Sequence, residues 1–158
     1  MALQLLYQNE VSGDSPDETL GQLSSWPQST SEAQAKYARQ LFAGVLRRRE
    51  QIDAVLAPLL QNFSLARLNT VDLSIMRIAV YETLQSDDVP PKVAINEAIE
   101  LAREFSSHDA PGFVNGVLDG FLRAHVPAEP EASEPSTDED VDEDEDDGDR
   151  QLYLDFYG

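Results

Sequence analysis

An all-α fold is predicted for this chain of 158 residues. Three observations carry the prediction. Apolar side chains recur at helical spacing from residue 31 to residue 122, no alternating stretch of strand length interrupts them, and prolines, acids and hydroxyl residues fall where helices would begin. With 41% hydrophobic residues the chain can bury one sizeable core, so a packed helical bundle with a tail is expected.

Residues 9–31 are rich in Ser, Gly, Asp and Pro and are expected to form a loop with one short helix around Asp17 to Leu23. Trp26, beside Pro27, is expected to be a packing anchor. In residues 31–60, Ala38, Val45, Ile52 and Leu59 recur every seven positions with Leu41, Phe42 and Leu56 beside them, which predicts one long helix. Ser31 starts it and Pro58 marks its last turn or a kink. Val71, Ile75, Ile78 and Ala79 predict the next helix, with Thr70 as its N-cap. The run Asp87-Asp88-Val89-Pro90-Pro91 breaks the chain and supplies a proline for a first turn, after which Ala94, Ala98, Leu101, Ala102 and Phe105 share a face. Asp109 and Pro111 open a last helix carrying Phe113, Val117, Leu118, Phe121 and Leu122.

Residues 127–150 hold almost no large apolar side chain, and ordering them would cost roughly 1–2 kcal/mol per residue with nothing buried in return. The division expected is a helical domain over 1–126 and a disordered, acidic, low-complexity tail over 127–158. The tail has 14 acidic residues and one basic residue, a charge of −13 out of the total of −19, and leaves −6 for residues 1–126. It ends in Gln151-Leu-Tyr-Leu-Asp-Phe-Tyr-Gly158, an abrupt return of apolar side chains that a solubilising tail would not need.

The sequence contains no cysteine, which removes disulfides, thiolate metal sites and Cys nucleophiles and fits a reducing, cytoplasmic setting. Met1 to Leu6 have no positive leader region, and no apolar run approaches a membrane span, so a membrane is not an expected partner. His108 and His125 stand singly, without an acid or histidine at the i+4 spacing that lets two ligands share a helix face, so no metal site is predicted. Glu97 and Glu100 lie three apart, as on many solvated helix faces. No phosphate loop, nucleophile elbow or zinc-protease motif occurs, so neither an enzyme nor a cofactor is expected. Arg47-Arg48-Arg49 is the one basic cluster; consecutive helical residues fan out through about 200°, so these side chains form either a solvated surface or a divided contact to RNA or protein.

The tract Val89-Pro-Pro-Lys-Val-Ala-Ile-Asn-Glu-Ala-Ile-Glu-Leu-Ala102 and the run Phe113-Val-Asn-Gly-Val-Leu-Asp119 closely resemble the C-terminal half of the NusB family. Ala2-Leu-Gln-Leu-Leu-Tyr-Gln8 resembles the end of that family's first helix, and Tyr37 to Leu46 resembles its long third helix, so the likeness covers 1–125. The resemblance implies two packed three-helix bundles. It also implies a transcription antitermination factor that binds the boxA element of ribosomal RNA transcripts with the small-subunit ribosomal protein that doubles as NusE, and joins the RNA polymerase elongation complex through other Nus factors. By motif position, Tyr7 and Glu82 would face the NusE-like partner and Asp119 would lie near the RNA, lowering affinity by repelling phosphate. Gln4, Lys92 and Asn115 are the polar groups expected to touch RNA, with Phe113 either a base-stacking surface or a core residue.

Three departures qualify the resemblance. Relatives begin with an arginine-rich segment, whereas Met1 here falls inside the first helix, which leads to the expectation of an initiation codon upstream. Ala110-Pro111-Gly112 replaces small polar or basic residues, which puts a phosphate contact there in doubt. The tail is extra. Residues 138–149, with ten acids in twelve, are expected to act either as a solubilising stretch or as a tethered phosphate mimic competing for the RNA surface, clipped by Leu152, Tyr153, Phe156 and Tyr157. Two other functions stay open: a helical adaptor with weak or lost RNA binding, and the RNA-binding domain of a ribosomal RNA methyltransferase lacking its catalytic part.

Overall fold

The structure is a computed structural model that describes residues 1–27, 30–85, 87 and 89–126. The acidic tail predicted for 127–158 lies outside the described residues. Seven α-helices and three 3-10 turns account for the described regular structure, and no strand occurs among these residues.

Helix α1 (Ala2–Ser12) buries Ala2, Leu3, Leu5 and Leu6 and stops at Gly13, whose left-handed φ of 71° lets its N–H reach the Asn9 carbonyl. Helix α2 (Pro16–Gly21) is the short helix expected in the first loop; Ser15 and Glu18 close a reciprocal capping box around its first turn. The Asn9 amide donates to the Asp14 carbonyl and to the buried Thr19 hydroxyl, fastening α2 to α1. Trp26 packs against the core, as an anchor should.

The long helix expected over 31–60 is instead two. Helix α3 (Glu32–Arg47) starts on a Ser31/Gln34 capping box, and helix α4 (Arg49–Leu56) follows after Arg48 leaves helical geometry at φ −107° and ψ 13°. Two ion pairs lie just beyond the break. Arg49 meets Glu10 of α1 at 3.1 Å, and Asp53 takes a two-pronged bond from Arg77 of α5 at 2.8 and 2.9 Å, so α4 is tied to two other helices. A 3-10 turn (Ala57–Leu60) around Pro58 ends the segment, and Gln61 then adopts φ 38°, a conformation that costs a side-chain-bearing residue about 1–3 kcal/mol.

Helix α5 (Thr70–Gln85) is buried from Asp72 through Val80 because it contacts α1, α3, α4, α6 and α7. Its first free N–H groups are met by Asn69, whose Oδ1 accepts from Val71 N at 2.8 Å, so Asn69 and not Thr70 does the capping. Helix α6 (Pro91–Phe105) begins on the expected proline, and helix α7 (Ala110–His125) follows Asp109, with Pro111 in its first turn. The fold is thus two packed sets of helices: α5, α6 and α7 pack on one another, while α1 packs on α3, α4 follows α3, and all three lie against α5; they share a core that includes Leu5, Phe42, Leu56, Ile75, Met76, Leu118 and Phe121. Ser106, at the end of α6, donates its hydroxyl to the buried Asp72 of α5, joining two helices of the second group.

Arg77 is 6% exposed, and its guanidinium is held by Asp53 at 2.8 Å with Glu10 at 4.0 Å. Replacing Arg77 with methionine leaves a partly covered carboxylate without its cation, and an expected loss of about 2 kcal/mol follows. Urea unfolding of Arg77→Met and Arg77→Met/Asp53→Leu measures this; the second change should recover part of the loss, and purely additive losses would refute the pairing.

Candidate nucleic-acid and partner interface

Two exposed strips hold most of the residues singled out from the sequence. On α1, Gln4, Tyr7 and Val11 fall on one helical face and all are exposed, with Tyr7 at 44% and Val11 at 62%. A tyrosine beside a valine in water is a small apolar patch with a polar tip, suited to a protein surface that can cover both. On α7, Gly112, Asn115, Gly116 and Asp119 form the second strip, all exposed. Asp119 is paired with Arg123 at 3.2 Å, so its charge is partly answered in place.

Phe113 lies at the edge of that strip, beside Gly112 and Gly116. It is half-buried and stacks edge to face on Phe63, with ring centroids 5.8 Å apart. Between α7 and the Leu59–Phe63 turn lies a groove of about 350 Å³, lined by Leu59, Leu60, Phe63, Gly112, Phe113 and Gly116 among others. A Cβ built at Gly112 or Gly116 would meet nothing within 4 Å, so these glycines leave its edge open. Phe63 is 56% exposed and was not singled out from the sequence, although a lone phenylalanine between Asn62 and Ser64 is an available signal.

Lys92 is exposed in the first turn of α6. The connection between α6 and α7 is only residues 106–109, which makes these packed helices antiparallel and places Lys92 at the end away from Phe113. The structure therefore brings Asn115 and Asp119 together and leaves Gln4 and Lys92 on other helices.

Glu82 departs from the outward-facing position expected of it. It is 2% exposed, and its carboxylate accepts the Tyr37 hydroxyl at 2.6 Å. Burial pushes the Glu82 carboxyl up to about 7; the Tyr37 hydrogen bond pulls against this, and the negative charge of Glu97 adds to it. Glu97 is 8% exposed and lines a small internal cleft between α5 and α6 with Glu82, so the solvated face expected for it is also corrected. The apolar seams carried the warning: Glu82 continues the spacing of Ile75, Ile78 and Ala79, and Glu97 sits between Ala94 and Leu101.

Of the basic cluster, Arg49 is committed to Glu10, while Arg47 and Arg48 are exposed. His108 is exposed, and His125 stacks on Phe121 at 5.4 Å. Among the described residues no group of three or more His, Asp or Glu side chains is placed to hold a metal ion, and no helix is long and apolar enough to cross a membrane.

The NusB family model matches residues 1–123. A transcription antitermination protein NusB of Rubrobacter xylanophilus is 43% identical over 119 residues, covering 75% of this chain and 83% of the relative. That of Symbiobacterium thermophilum is 38% identical over 130 residues, covering 78% and 85%. Among solved structures, T. maritima NusB superposes with a TM-score of 0.72 at 30% identity, covering 80% of this chain and 88% of that one. A crystal structure of the antitermination factors NusB and NusE in complex with dsRNA contains a chain that matches with a TM-score of 0.67 at 25% identity, covering 78% and 92%.

Proposed function

The chain belongs to the NusB family, and from that premise we propose that it is a transcription antitermination factor binding boxA RNA of ribosomal RNA transcripts together with a NusE-like small-subunit ribosomal protein. The family match over residues 1–123 carries this reading. The pair joins the RNA polymerase elongation complex through other Nus factors, in the cytoplasm, and the chain acts by binding, without a catalytic step or a cofactor.

The exposed face of α1 supports the protein contact. Tyr7 offers a rigid amphipathic ring with Val11 beside it, and a partner that covers both gains apolar burial without ordering a long side chain. Glu82, bound to the Tyr37 hydroxyl and buried, offers this contact no exposed group of its own. The RNA contact falls to Gln4, Lys92 and Asn115, with Phe113 presenting part of a ring at the groove and Asp119 weakening phosphate approach.

Fluorescence anisotropy of a labelled single-stranded boxA RNA, titrated with this protein in the presence and absence of the ribosomal protein, tests the reading. Lys92→Ala should weaken binding and reduce the salt slope by about one. Asp119→Asn should tighten it, and Tyr7→Ala should remove only the gain contributed by the ribosomal protein. No RNA binding under either condition, with the ribosomal protein still bound, would leave the adaptor reading in its place.

A further inference from the structure

We propose that the aromatic segment Leu152–Tyr157 of this chain docks in cis in the groove between α7 and the Leu59–Phe63 turn. Its effect on RNA rests on the proposed function; the docking itself does not.

The groove is an open depression, apolar on most sides with Gln61 and Asn62 on one wall, and no described side chain fills it. Its volume of about 350 Å³ is at the lower end of the roughly 300–1,000 Å³ of ligand clefts. Phe63 is more than half exposed on one wall, and the glycines of α7 leave the other wall open. The backbone at Gln61, at φ 38°, lies where the turn passes from Leu60 to Phe63. A non-glycine residue is kept in that conformation at a cost, so the turn is not simply relaxed onto α7.

The occupant is identified by composition and reach. From Pro127 to Arg150 the sequence has one large apolar residue, Val141; then Leu152, Tyr153, Leu154, Phe156 and Tyr157 place five in six positions. Val117, at the groove, is nine residues before Val126, which is about 14 Å along the helix. The 25 residues from 127 to 151 would span roughly 25–30 Å as an uncharged flexible chain and more with their 13 acids repelling one another, so reach is ample for that distance. A tether that reaches with length to spare still gives an effective concentration up to about the millimolar range, above that of a second copy at working concentrations.

Docking also gives the acidic run a purpose. Residues 138–149 precede the aromatic segment directly, so seating it carries ten carboxylates to the surface of α7. Arg67, exposed on the 3-10 turn (Leu65–Arg67), stands four residues after Phe63 as an opposite charge on the same segment. The same carboxylates repel RNA phosphate from Asn115, so the docked segment restrains RNA binding until a partner or the RNA displaces it.

Because the sequence has no cysteine, Gly158→Cys takes a single nitroxide label on the otherwise intact chain. Amide signals of Phe63, Gly112 and Gly116 should broaden more than those of α1 and α3, and Phe156→Ser/Tyr157→Ser should abolish the difference. Uniform or absent broadening overturns the docking, including the case where RNA alone shifts those signals. Broadening carried from labelled to unlabelled chains in a mixture overturns the cis arrangement in favour of a second copy. In the anisotropy assay at low salt, Phe156→Ser/Tyr157→Ser should tighten RNA binding roughly twofold to fivefold. Localised broadening with unchanged RNA affinity overturns the restraint alone. Absence of RNA binding in both proteins defeats the proposed function, and the label still decides the docking.

Discussion

Gly44→Ala is expected to destabilise the fold by about 2 kcal/mol, although alanine is the better helix former. Gly44 is buried in the last turn of α3, where the Tyr81 ring of α5 lies against it; a Cβ there would stand 2.2 Å from the ring's Cζ and Oη. No tyrosine ring tolerates that approach. It must swing out of its place on the core or push α3 and α5 apart, a cost of roughly 3 kcal/mol, from which helix propensity returns about 1 kcal/mol. The sign should therefore depend on Tyr81. In a Tyr81→Ala background the obstructing ring is gone, and Gly44→Ala should raise stability by about 1 kcal/mol. Urea unfolding of the two single variants and the double variant closes the cycle. A neutral Gly44→Ala with Tyr81 intact would mean that the ring turns aside at no cost and that this glycine is not what sets the α3/α5 approach.

Local chemistry and tertiary chemistry divide what could be read from the amino acids alone. Pro91, Asp109 and Pro111 act within one turn of their own positions, and the helices they start are where spacing and punctuation put them. The α3/α4 break at Arg48 has no glycine or proline to announce it. The contacts beyond it are tertiary, to Glu10 and Arg77 on other helices, and a heptad-like seam through Val45 and Ile52 runs on across it. The same distinction holds at the interface. Tyr7 and Asn115 are exposed because their own helical faces are polar or unfilled, but the groove at Phe63 and Phe113 exists because a turn and a helix 50 residues apart meet imperfectly. Glu82 and Glu97 are legible from spacing but not from charge: both stand on apolar seams, and spacing places them inside.

Burying Glu82 makes stability depend on pH in a direction opposite to that of a salt-bridged acid. Its carboxyl is raised from 4.5 to about 7 in the folded chain, so between these values the native state holds a proton that the unfolded state has released. Stability from this group is fully present below about pH 4.5 and is lost as pH rises through about 7. At about 1.4 kcal/mol for each pH unit between the two values, the loss is on the order of 3 kcal/mol. Glu82→Gln keeps an oxygen that can accept the Tyr37 hydroxyl and has no charge to desolvate. Near pH 5 the two proteins should therefore unfold at similar urea concentrations, and by pH 8 the variant should be the more stable. Taking the difference between the two curves removes the titration of groups they share. Tyr37→Phe separates the remaining contributions: it withdraws the hydrogen bond that favours the charged form, so its stability should fall more steeply with rising pH than that of the parent. Parallel curves for the parent and Glu82→Gln from pH 5 to pH 8 would show that the carboxylate finds solvent or a counter-charge when ionised, and that the α3/α5/α6 contact does not hold it dry.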